Sequence, residues 1–238
     1  MDLGIADRVA VVTAASRGLG RATAVALAAE AVRLVVNARS AEQLERLRDD
    51  VDVEVEIVAG DVNDDRLPGL LVDRALDRFG RLDIVVANNA GPKRGGAFDL
   101  TDQQILDAIT ANTLSAVRLV RAARPILVRQ QWGRVCLIAS GSARQPMENL
   151  ALSNTARPAL WGWAKTAANE LIASGVTLNL VCPGAHATDR AVELGAQDRA
   201  YIGDPADFGR IVAFLCSHHT SFMTGTASVI DGGRIQGL

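Results

Sequence analysis

The chain has 238 residues, a formal net charge of −2 and 49% hydrophobic side chains. That length suits one α/β domain spanning 1–238, and the weak charge argues against nucleic acid or an acidic membrane surface as a partner. No apolar run approaches a membrane span, Met1-Asp2-Leu3-Gly4 lacks the regions of a signal peptide, and Cys136, Cys182 and Cys216 lie far apart in apolar segments. The cysteines read as buried hydrophobes in a reducing compartment, so a cytoplasmic location is expected and a metal site is not.

Strand and helix signals alternate along the chain. Arg8–Val12 is a short apolar strand, and Gly20–Ala31 an alanine-rich helix. Leu34–Asn37 is a second strand and Ala41–Asp50 a charged surface helix. Val53–Val58 alternates apolar and acidic residues, as an edge strand would. Asp64–Phe79 is amphipathic, and Gly80 closes it. Leu82–Ala87 is the fourth strand. A long helix is expected over about 101–131, kinked at Pro125. Arg134–Ala139 is strand five, with a helix after Ser153. Thr177–Val181, a helix over Pro205–Ser217 and a last strand at Ala227–Ile230 complete the series. The alternation implies a doubly wound, mostly parallel seven-stranded sheet with helices on both faces. Ligands then bind at the carboxyl ends of the strands, near the switch point.

The stretch 13–20, Thr-Ala-Ala-Ser-Arg-Gly-Leu-Gly, joins a strand to a helix. Its small residues let backbone N–H groups approach a pyrophosphate, and the helix N-terminus adds partial positive charge. Asp61-Val62 follows strand three. Asn88-Asn89-Ala90-Gly91 ends strand four, and Asn112 stands 24 residues after Asn88. Ser140 ends strand five, Pro183-Gly184 ends strand six, and Thr188 follows.

In order and spacing these motifs resemble the short-chain dehydrogenase/reductase family. The resemblance implies a Rossmann-type fold and a nicotinamide cofactor held by Thr13, Ala15, Ser16, Arg17, Gly18, Leu19, Gly20, Asp61, Val62, Asn88, Ala90, Pro183, Gly184 and Thr188. Ala14 replaces the family's first glycine, and loop capping is the other reading of Asp61 and Asn88. No acid follows strand two to bind the 2′-hydroxyl of NAD. Arg39 stands there instead and accommodates a 2′-phosphate, with Arg17 as a second basic contact. NADP(H) is therefore the expected cofactor, ahead of NAD(H).

The resemblance also implies a catalytic serine, asparagine, tyrosine and lysine. Asn112 and Ser140 fill the first pair of roles. Ser153, thirteen residues after Ser140, and Arg157, four further on, stand where the Tyr-x-x-x-Lys pair belongs. A spacing of four puts them on one helix face. Arg157 would bind the cofactor ribose and keep the field positive, but it cannot give up a proton near neutral pH. Ser153 is a poor general acid. Pro158 suggests that the helix begins near Arg157, which would move Ser153 off the tyrosine's position. A helix cap and a non-catalytic contact are the other reading of this pair. Packing or surface is the favoured reading of Tyr201, in a short lid-like stretch between Thr188 and Pro205; a replacement acid is the alternative.

The expected function is an NADP(H)-dependent oxidoreductase, 3-oxoacyl reductase-like, with a non-standard proton donor and a small-molecule substrate such as an acyl thioester. A catalytically silent NADP-binding module and a non-redox lyase, cyclase or dehalogenase are the alternatives. The family resemblance implies a homodimer or homotetramer, with Trp161 and Trp163 assigned equally to its interface or to the core.

Overall fold

The computed structural model describes residues 1–196 and 201–237. Seven strands form one sheet in the order β3-β2-β1-β4-β5-β6-β7. They are β1 (Val9–Val12), β2 (Arg33–Ala38), β3 (Val55–Ala59), β4 (Ile84–Ala87), β5 (Gly133–Ile138), β6 (Val176–Pro183) and β7 (Ala227–Ile230). Every pairing is parallel. The order reverses between β1 and β4, which opens a crevice at their carboxyl ends.

Buried parallel strands read as unbroken apolar runs because helices cover both faces. Val-Ala-Val-Val of β1 and Ile-Val-Val-Ala of β4 are fully buried in this way. Helices α1 (Gly18–Ala29), α2 (Ala41–Asp49) and α8 (Pro205–Leu215) lie over one face, with Leu27, Leu44, Leu47 and Phe208 in that core. The opposite face is covered by α3 (Leu67–Phe79), α5 (Ser115–Gln130) and α6 (Ala151–Leu171), with α4 (Asp102–Ile109) packed against α6. Trp161 and Trp163 are half-buried against this second core. Ser40 caps α2, accepting from the Gln43 N–H at 3.3 Å. Gly80 ends α3 at φ 72°, the left-handed conformation that glycine adopts without a Cβ penalty.

Two expectations are corrected. The long helix over 101–131 is divided by a π-helical turn at Thr110–Leu114, while Pro125 lies inside α5 without ending it. A wide turn frees carbonyls, and side chains meet them here. Asn112 Nδ2 donates to Ala108 O at 3.0 Å, Ser115 Oγ to Ala111 O at 2.6 Å, and Asn89 Nδ2 also reaches Ala111 O. The helix after strand five begins at Ala151, six residues before Arg157, and Pro158 lies within it. Its start is held by a remote segment: Gly95 O accepts from the Ala151 N–H at 3.3 Å, and the Gly95 N–H donates to Asn149 O at 2.9 Å. That external partner satisfies an N–H the first turn cannot. Ser153 thus stands in the first turn of α6.

A short helix, α7 (Asp189–Glu193), lies within the lid-like stretch. Tyr201 is 88% exposed, in keeping with the surface reading. Residues 197–200 of that stretch lie outside the described residues.

Arginines that serve the scaffold gather at the other end of the sheet. Buried Asp83 accepts from Arg8 Nη1 at 2.9 Å, the Val9 N–H at 3.0 Å, and Arg81 Nε and Nη2 at 2.7 and 2.8 Å. Buried Arg134 donates through Nε to Ser217 O and through Nη1 to Gly133 O, both at 2.8 Å.

Candidate functional site

The turn after β1 is tied to the end of β4. Thr13 Oγ1 donates to Asn88 O at 2.7 Å and accepts from the Asn88 N–H at 2.9 Å. The Ala15 N–H donates to Asn37 O at 2.9 Å, joining the turn to β2. Ala14 takes φ 47°, a left-handed conformation in which its Cβ is strained. Gly18 opens α1 at φ 57°, where glycine is free of that strain. Ser16 and Leu19 are half-buried at the turn, and the N-cap residue Arg17 makes no side-chain capping bond among the described residues. The helix's first N–H groups are thus available to an anion.

Gly20 is the tightest point. A Cβ there would lie 2.2 Å from Ala14 O and 2.6 Å from Asn88 Nδ2. Gly20→Ala is therefore expected to open the turn at a cost of about 1–3 kcal/mol. NADPH should bind roughly ten- to a hundredfold more weakly. Fluorescence titration beside a circular-dichroism check of the fold tests this, and unchanged affinity would refute it.

Arg39 is exposed at the end of β2. Arg17 is exposed too, and its Nη1 lies 3.2 Å from Asp189 Oδ2. Asp61 makes a local turn, accepting from the Asn63 N–H at 2.9 Å, while Val62 is half-buried. Ala90 is exposed just beyond β4. Pro183 ends β6, and a Cβ on Gly184 would lie 2.7 Å from Asp231 Cα. Thr188 approaches the glycine turn, its Cγ2 3.6 Å from where a Gly18 Cβ would be.

Arg157 is 3% exposed, deep in the crevice. It donates through Nη1 to Ile138 O at 3.0 Å and through Nη2 to Asn89 Oδ1 at 2.8 Å. Burial brings its guanidinium down to about 10; Cys182 opposes this slightly, and the Arg190 cation adds to it. Arg157 stays protonated at neutral pH. Its Nε and Asn112 Oδ1 are buried without a hydrogen-bond partner among the described residues. Both residues line a cavity of about 20 Å³, which has room for about one water.

The serines form a chain. Ser140 Oγ accepts from the Ser142 N–H at 3.2 Å, capping a short 3₁₀ turn over Gly141–Ala143. Ser142 Oγ and Ser153 Oγ lie 2.8 Å apart, both buried. Thr113 Oγ1 donates to Ala156 O at 2.7 Å and locks the π-turn onto α6. The structure therefore brings Asn112 and Arg157 to one cavity, and hydrogen bonds link Ser140 to Ser153 through Ser142. Asn89 and Ser142 were missed from sequence, although each lies within two residues of a candidate. Arg190, a third omission, contacts Pro92, 98 residues away, and no local signal marks it.

A short-chain dehydrogenase family model, described as "Enoyl-(Acyl carrier protein) reductase", matches residues 13–234. The chain is 32% identical to the 3-oxoacyl-[acyl-carrier-protein] reductase of Synechocystis sp., over 96% of this chain and 97% of that one. It is 31% identical to the reductase of that name from Escherichia coli, over 95% and 96%. Among solved structures, L-sorbose reductase from Gluconobacter frateurii, complexed with NADPH and L-sorbose, aligns over 100% of both chains at 28% identity and a TM-score of 0.92. With its glycine turn, switch-point crevice and end-to-end match to these reductases, the chain belongs to the short-chain dehydrogenase/reductase family of oxidoreductases.

Proposed function

We propose that the chain is an NADP(H)-dependent reductase of a carbonyl substrate, 3-oxoacyl reductase-like, whose site works without the family's tyrosine and lysine. The observation that carries this reading is the buried guanidinium of Arg157, held at the crevice with no partner for Nε among the described residues. The uncapped start of α1, the close approach at Gly20 and the exposed cation Arg39 fit a dinucleotide with a 2′-phosphate. NADPH-bound L-sorbose reductase, alike in fold over its whole length, supports the same cofactor.

NADPH held in this crevice would supply the hydride for reduction of a carbonyl carbon. Arg157 binds the ribose with its remaining N–H groups and keeps positive charge beside the developing oxyanion. Ser140 Oγ donates to the substrate oxygen. Ser153 shares its hydrogen bond with Ser142 and is far too weak an acid to replace a phenol, so the proton comes from solvent. Asn112 holds the π-turn and offers its free Oδ1 to the cavity.

Steady-state NADPH oxidation with a panel of ketones and oxoacyl thioesters tests the reading. Turnover that falls about 10²-fold or more in Ser140→Ala is the expected result. Tight NADPH binding with no turnover of any substrate would favour a silent NADP-binding module instead.

A further inference from the structure

A second guanidinium reaches the crevice from α7. Arg190 donates through Nη1 to Glu193 Oε2 at 2.9 Å and through Nη2 to the Pro92 carbonyl. It lies against Gly91, where a Cβ would meet Nη2 at 3.2 Å and Nε at 3.4 Å. Gly91 is two residues beyond Asn89, whose Oδ1 holds Arg157. Arg190 thus crosses from the lid-like segment to the strand end that positions the buried cation. The two guanidiniums are near enough for Arg190 to make Arg157 harder to protonate.

Among the described residues the acids on α7 are Asp189 and Glu193, both exposed and each already paired with an arginine. Arg157 makes no ion pair among the described residues. Glu193 pairs with Arg190 at a half-exposed position, where such a contact is weak. Lys93 and Arg94 follow Pro92 in the same loop, and Arg94 Nη1 donates to Leu194 O at 3.0 Å beyond α7. Glu148, from the loop before α6, is exposed. The crevice therefore collects three cations near its mouth, Lys93 and Arg94 from the β4 loop and Arg190 from α7, above the buried Arg157 of α6, in a chain whose net charge is −2. A low-dielectric cleft of one sign attracts a ligand of the other. A planar guanidinium about one-third exposed matches a carboxylate in two-point contact.

We propose that Arg190 is a specificity-determining residue that receives a carboxylate on the substrate, so that the preferred substrates are oxo acids or, in reverse, the corresponding hydroxy acids. This rests on the reductase reading above.

The test uses the full chain, oxo acids and their uncharged methyl esters. The wild type should prefer each acid over its ester by about tenfold or more in kcat/KM, a difference of roughly 1.4 kcal/mol. Arg190→Met should erase the preference through KM with little change in kcat, and Arg190→Lys should restore part of it. NADPH affinity by fluorescence titration should stay within about threefold of wild type, a range smaller than one tenfold step. Equal use of acid and ester by the wild type would overturn the proposal. So would an Arg190→Met variant that loses NADPH binding but keeps the preference, because Arg190 would then be clamping cofactor. If nothing is turned over, the reductase reading fails on its own. Saturable perturbation of bound-NADPH fluorescence by the oxo acid, present in wild type and absent in Arg190→Met, then still supports the carboxylate site. Its absence in wild type overturns that site.

Discussion

Replacing Ser153 by tyrosine together with Arg157 by lysine is expected to raise kcat for carbonyl reduction by about 10²–10⁴-fold, the usual worth of a positioned general acid. A phenol ionises near pH 10 and gives its proton far more readily than a serine hydroxyl. Position 153 is in the first turn of α6, and position 157 is four residues along the same helix face. Ser142 Oγ, 2.8 Å from Ser153 Oγ, marks where the tyrosine ring must pass. Arg157→Lys alone is expected to gain nothing, because an ammonium cannot keep both the Ile138 carbonyl and Asn89 Oδ1 in the arginine's fork geometry. Ser153→Tyr alone should gain less than the pair, since residues in one network do not add. Single-turnover NADPH oxidation near pH 7 measures all four proteins. A folded double variant with kcat within threefold of wild type would sink the idea that the absent acid limits the rate.

Stability is expected to collapse in alkali more steeply than one titrating group allows. Cys136, Cys182 and Cys216 are all buried free thiols. Burial raises Cys182 to about 11 and Cys216 to about 12, and it raises Cys136 well above its ordinary value. In the unfolded chain each thiol ionises near pH 9, so above that pH the unfolded state holds fewer protons than the native state. Stability is then fully present below about pH 9 and falls by about 1.4 kcal/mol per pH unit for each thiol. Three thiols together give roughly 4 kcal/mol per unit up to about pH 11, set against a typical total of about 5–15 kcal/mol. Arg157 works the other way. Its folded value of about 10 lies below that of a free guanidinium, so above pH 10 it returns about 1.4 kcal/mol per unit. Urea unfolding under reductant at pH 8, 9 and 10.5 measures the slope. A triple Cys→Ala variant, though less stable throughout, should lose most of the dependence. A flat profile to pH 10.5 in the wild type would contradict the argument.

Much of this architecture was legible because the sheet is wholly parallel and buried. The apolar runs at Val9–Val12 and Ile84–Ala87 admit few other readings, and parallel strand ends collect the motifs that follow them. Local signals failed where partners are remote. Pro158 argues against helix on its own terms, yet α6 starts at Ala151 because Gly95 supplies the missing acceptor. The π-turn depends on Asn89, more than twenty residues away in sequence, and carries no signature within Thr110–Leu114. The candidate site divides in the same way. Its motif residues follow from spacing, while Ser142 and Arg190 emerge only once the 3₁₀ turn and α7 are placed.

The wide turn at Thr110–Leu114 also sets a bound on how this scaffold can change. Deleting one residue there would let α4 and α5 merge into a single rod, with the carbonyls now freed by the wide turn satisfied by the backbone. It would also rotate everything on one side by about 100°, one residue's share of a 3.6-residue turn, and carry Asn112 away from the cavity it shares with Arg157. Helix regularity and the placement of that amide are thus competing demands on the same five residues. Single-residue deletions in this segment should be the changes that leave the protein folded and its crevice disassembled.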